Sequence, residues 1–176
     1  MIQDESDSDH IQYLDLGPIQ IPLLGNPEIR MNIDQESMKI IGFSILLEDS
    51  IAEFQVFACA RNEQLWPSVS KDLLDALNDQ GVSADVVSGE FGAEVRAVMP
   101  LEDVDGNNVI QPVRFVGIDG DRWFLRAAIS GGAAVNEPDI ELVDEILANV
   151  QIDRGNHAMA HGELFTIDMP DFGQPD

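Results

Sequence analysis

Three consecutive stretches of this chain alternate apolar and polar residues with a period of two. Ile29, Met31 and Ile33 share one face. Ile41, Phe43, Ile45 and Leu47 share the next, and Ala52, Phe54, Val56 and Ala58 the third. Successive side chains of a strand point to opposite sides, so this pattern fits strands buried on one face. The breaks at 34–37 and 48–50 are short and polar. They suit hairpin turns and are too short for the crossover that a parallel pair needs. The chain is expected to build an antiparallel sheet.

The period then changes. Over 65–80, Trp66, Val69, Leu73, Ala76 and Leu77 fall on one helical stripe, with Pro67 in the first turn and Gly81 past the end. Strands are expected again at 82–87, 93–99, 109–118 and 121–129. A second helix follows, with Asn136 as its cap, Pro138 in its first turn, and Ile140, Val143, Ile146, Leu147 and Val150 as its apolar stripe. The order βββ-α-ββββ-α predicts an α+β fold, a mainly antiparallel sheet of about seven strands covered by two helices.

Three prolines at 18, 22 and 27 argue against a central strand in 14–27. That segment is expected to cross the surface, pinned by Ile19, Ile21 and Leu23. A short extended piece is expected at 164–169. Residues 1–12 and 170–176 are expected to be disordered tails, the first of them acidic, around a single domain at 13–169. A chain of this mass buries roughly 70% of its unfolded surface, enough for a core without covalent staples.

Charge narrows the function classes. The chain carries 33 acids against 9 Lys plus Arg, a net charge of −24. That excludes an ordinary basic nucleic-acid binder and works against docking on an anionic membrane, so no DNA, RNA or membrane partner is expected. The one cysteine, Cys59, rules out an intramolecular disulfide and a cysteine zinc cluster. No apolar run reaches the ~20 residues of a membrane helix. A cytoplasmic location is expected.

Against this acidity, three cations cluster in one hairpin, 111–126. Asp119-Gly120 between two apolar runs reads as a two-residue turn. It would set Ile118 opposite Asp121, Val116 opposite Trp123 and Arg114 opposite Leu125. The other face would carry Phe115, Phe124, Arg122 and Arg126, with both arginines flanking Phe124. Guanidinium groups beside aromatic rings can stack, and they can grip carboxylate or phosphate. Arg114, Phe115, Arg122, Phe124 and Arg126 are therefore the candidate partner- or anion-binding residues. Internal ion pairing with the many acids is the competing reading.

Other constellations carry less. His157 and His161 are four apart, but glycines bracket them and no third ligand is defined, so no metal site is expected. Cys59 ends an apolar strand and reads as a small buried hydrophobe. Gly89-Glu-Phe-Gly92 is too short for a phosphate loop, no serine nucleophile elbow occurs, and no cofactor is called for.

The hairpin Gln111-Pro-Val-Arg-Phe-Val-Gly-Ile-Asp-Gly-Asp-Arg-Trp-Phe-Leu-Arg126 resembles the signature of an uncharacterised family of actinobacterial proteins of unknown function. The likeness extends to Leu14-Asp-Leu-Gly-Pro18, Phe57-Ala-Cys-Ala60 and Gly89-Glu-Phe-Gly-Ala-Glu94. Members are often encoded near a dUTP diphosphatase. The chain departs from the family at His161, where proline is usual. The element order is also similar to Mog1/PsbP-like and secretion-chaperone-like folds, which implies protein binding by analogy. The sequence thus points to a non-catalytic protein-binding or adaptor protein. The alternatives are a small-anion or nucleotide-binding protein, possibly a hydrolase accessory, and a structural homodimer.

Overall fold

The computed structural model describes residues 11–60, 63–153, 161–165 and 167–168. The expected tails lie outside these residues apart from 11 and 12, and so does His157. The strands are β1 (Tyr13–Asp15), β2 (Ile19–Pro22), β3 (Glu28–Asp34), β4 (Lys39–Leu46), β5 (Ser50–Ala58), β6 (Ser83–Gly89), β7 (Gly92–Glu102), β8 (Asn108–Asp119), β9 (Trp123–Gly131), β10 (Gln151–Ile152) and β11 (Ile167–Asp168). The helices are α1 (Trp66–Asp79) and α2 (Glu137–Asn149), with a 3-10 turn at Gly132–Ala134 before α2.

The fold is α+β and its sheets are antiparallel. The larger sheet runs β11-β4-β5-β9-β8-β7-β6, and β3 pairs along the other edge of β4. One face, with Phe43, Ile45, Phe54, Val116 and Ile129, packs under α2 and a smaller sheet of β1, β2 and β10. On the opposite face, Trp66 and Leu77 of α1 pack on Val95, Ala97 and Phe124. The sheet therefore separates two cores, which is why β5 and β9 carry apolar residues on both sides.

Three expectations change here. Residues 14–27 do form strands: β2 is the middle strand of the smaller sheet, and Ile19 and Ile21 are buried while Leu23 is exposed. Pro22 is tolerated because of its position. The Leu23 amide bonds Gln12, so the Pro22 nitrogen points away from β1, toward β10, which reaches only Ile19 and Gln20. In β4, a bulge falls where Asn32 pairs Gly42 and Ile33 pairs Ile40, leaving Ile41 as the extra residue. Ile40 rather than Ile41 joins Phe43 in the core, since one inserted residue changes the face. In α1 the stripe packed on the sheet includes the half-buried Leu74, and Ala76 is exposed.

The caps also differ. Asn136 makes no side-chain cap; its amide donates to Asp139 instead. The free amides at the start of α1 are met from far along the chain, by Asp119 at the end of β8. At the other end Gly81, at φ +80, lets Val82 bond the Leu77 carbonyl and close the helix.

β7 and β8 outrun their neighbours. β6 accompanies β7 only to Val98, and β9 accompanies β8 only from Val113. Residues 99–112 therefore project as a two-stranded arm.

Candidate functional site

The hairpin register differs from the sequence expectation. Ile118 pairs Leu125, Val116 pairs Ala127 and Arg114 pairs Ile129. The turn lies two residues later, at Asp121 and Arg122, closed by the Gly120 amide on the Trp123 carbonyl, with Arg122 at φ +68. Two contacts favour this register. The Asp119 carboxylate is engaged by the Leu65 and Trp66 amides, and a Cβ on Gly120 would overlap the Trp123 indole. Each strand slips by an even step overall, so every side chain keeps its expected face. Its cross-strand partner changes: Phe115 lies opposite Ala128 and Phe124 opposite Asp119.

The five candidate residues separate accordingly. Arg114 points into the larger core and is 1% exposed. Its Nε and Nη2 donate to Glu94 at 2.8 and 3.0 Å, Nη2 also to Asp144 of α2 at 3.0 Å, and Nη1 to the Ala133 carbonyl at 3.1 Å. Arg96 donates to Glu94 as well, at 2.7 Å. Burial disfavours the charge on Glu94, but the hydrogen bonds from Arg114 and Arg96 outweigh it and hold the carboxyl below its ordinary range. Burial likewise works against the Arg114 cation, and Glu94 and Asp144 more than compensate. Arg114 is thus an internal tie between the sheet, the 3-10 turn and α2.

Phe124 is sealed in the second core, its ring 6.0 Å from Phe57 and 6.1 Å from Trp66. Arg122 lines a separate polar hollow at the turn with Glu63, Gln64 and Asp121. Only Phe115 and Arg126 come together. With Val69, Asp72 and Leu73 of α1 and Ala128 of β9 they line a groove of about 510 Å³. Arg126 is exposed; its Nη2 donates to Gln55 Oε1 at 2.9 Å, and its guanidinium carbon lies 5.6 Å from the Phe57 ring centre. Beyond Arg126 the groove continues into a polar hollow of about 280 Å³ with Asn32, Glu53 and Gln55.

The cleft therefore has an apolar end beneath α1, a polar end toward β3, and one preset guanidinium between them. It suits a ligand with an apolar group and a carboxylate a few ångströms apart. Elsewhere, the His161 Nδ1 accepts the Ala60 amide at 2.9 Å, and Cys59 is buried with its thiol on the Glu63 carbonyl. Among the described residues, no helix is long and apolar enough to cross a membrane.

A family model described as Protein of unknown function (DUF3710) matches residues 2–175. The chain belongs to the DUF3710 family. No curated protein and no solved structure matches it. For this DUF3710 member the cleft is thus read from its own chemistry. Sequence reasoning missed Glu94, Asp144, Gln55 and the α1 wall. One signal was available: Arg114 stands in line with Val116 and Ile118, and a cation in an apolar row needs buried partners.

Proposed function

We propose that the chain is a non-catalytic protein-binding protein that receives a partner's segment in the groove beside α1. An apolar side chain rests on Val69, Leu73 and Phe115, and a neighbouring carboxylate meets Arg126. The observation that carries this reading is the setting of Arg126, exposed yet oriented by Gln55 and Phe57 at the junction of apolar and polar surface. Orientation lowers the entropy cost of gripping a carboxylate. The distant acids of the −24 net charge do not forbid an acidic side chain there, because salt screens charges beyond ~8 Å. Asp72 and Glu53 in the cleft lining, by contrast, restrict the carboxylate to the Arg126 guanidinium. A cytoplasmic location is part of the same proposal.

Selection from a random peptide library on the full chain tests it. Enriched peptides should pair an acidic with an apolar residue, and Arg126→Ala should weaken them ~tenfold without lowering the melting temperature. Enrichment indifferent to Arg126 sinks the groove reading. Stabilisation by nucleotides or phosphate, lost in Arg126→Ala, would transfer the site to a small anion.

A further inference from the structure

The arm at 99–112 carries a second surface, on the opposite side of the sheet from the groove. We propose that the face formed by Pro100, Ile110 and Pro112, with Val98 at the base of the arm, docks on a second protein, against an apolar patch edged by lysine or arginine. Val98 pairs Pro112 and Pro100 pairs Ile110, so the four make one contiguous cross-strand patch. Val98 is 36% and Ile110 72% exposed. Apolar residues clustered on a projecting two-stranded ribbon gain little for the monomer, and such patches mark contact sites.

The backbone favours contact through the face rather than the edges. The Asp103 amide bonds the Asn107 carbonyl, so 103 and 107 form a hydrogen-bonded pair. Pairs alternate along the ribbon, which makes Val98–Pro112 and Pro100–Ile110 non-hydrogen-bonded pairs. At such positions the backbone nitrogen points outward. Pro100 and Pro112 thus each delete a donor on one outer edge, a device that blunts strand addition. The face stays apolar while the edges are guarded.

Charge indicates the occupant. Residues 97–113 include Glu102, Asp103 and Asp105 and no lysine or arginine. The Asp103 carboxylate accepts the Asp105 and Asn107 amides, both at 2.9 Å, which orders the tip and holds its charges in place. A second copy would bring another −24 charges and the same acidic tip against it. A basic-edged partner satisfies both the patch and its rim.

A synthetic amphipathic helical peptide with leucines on one face and flanking lysines serves as the probe, followed by fluorescence anisotropy on the full chain. The control has serine at each leucine. The leucine peptide should bind ~tenfold tighter than the serine peptide, and Ile110→Asp should weaken it ~tenfold. The direction is decisive, since Ile110→Asp adds a negative charge and would strengthen purely electrostatic binding. Unchanged or tighter binding by Ile110→Asp overturns the proposal. So does a concentration-dependent doubling of mass that Ile110→Asp abolishes, which assigns the face to a second copy. Should Ile110→Asp lower the melting temperature, Val98→Ser and Ile110→Ser replace it, and retained affinity in both overturns the proposal. Arg126→Ala should leave this affinity unchanged, which separates the arm from the groove.

Discussion

Arg114 holds Glu94 through two hydrogen bonds, Nε to Oε2 at 2.8 Å and Nη2 to Oε1 at 3.0 Å, with both side chains almost wholly out of water. Removing Arg114 takes away two of the three arginine hydrogen bonds that Glu94 accepts and leaves its buried charge to the half-exposed Arg96. Arg114→Ala should therefore cost about 3–5 kcal/mol. Arg114→Lys should recover only part of this, because an ammonium cannot present the fork that reaches Glu94, Asp144 and Ala133 together. Urea denaturation of the three proteins measures both; a loss under about 1 kcal/mol for Arg114→Ala would show the tie contributes little.

The same pair should be visible in acid. Glu94 is held below its ordinary range in the folded state, so the unfolded chain binds the proton more readily. Its contribution is present above the unfolded carboxylate range and is lost as pH falls through the lower folded value. Exposed acids relax their mutual repulsion over the same window, so the informative quantity is the difference between wild type and Glu94→Gln. That difference should shrink from about pH 7 toward about pH 3. Parallel curves would mean Glu94 titrates as it does in the unfolded chain.

Asp119 caps α1 from the end of β8, accepting the Leu65 amide at 2.8 Å. Asp119→Ala should lose about 1 kcal/mol, the ordinary worth of a cap. Hydrogen exchange should speed first in the opening turn of α1 and leave α2 unchanged. Uniform acceleration would assign Asp119 to global stability instead.

Gly117 lies against the Trp66 indole, which a Cβ there would overlap. Gly117→Ala should displace the ring, break its Nε1–H bond to the Ala93 carbonyl and cost about 1–3 kcal/mol. A shift in tryptophan fluorescence should accompany the lower denaturation midpoint. An unchanged emission would show that β8 gives way and not the ring.

Local chemistry made much of the fold legible. Period-two alternation set β3, β5 and most of β4, and a period near 3.6 set α1 and α2, because side-chain direction along one element follows from its own geometry. Even the slipped hairpin preserves faces: Arg114 shares the face of Val116, and Phe115 and Arg126 share the other, as alternation alone predicts. Which residue each of them meets was a different matter. Arg114 finds Glu94 and Asp144, 20 and 30 residues away, and Asp119 finds Leu65 at 54.

No local pattern encodes those distances. The Asp119-Gly120 pair is a good turn by itself, yet the carboxylate has a helix end to satisfy and the glycine an indole to admit. The amino-acid sequence alone determined which elements form and which face of each is apolar. Only the tertiary structure decided register, the burial of Arg114 and Phe124, and the pairing of Phe115 with Arg126 in one groove, because those depend on energies shared between residues that meet only once the chain is folded.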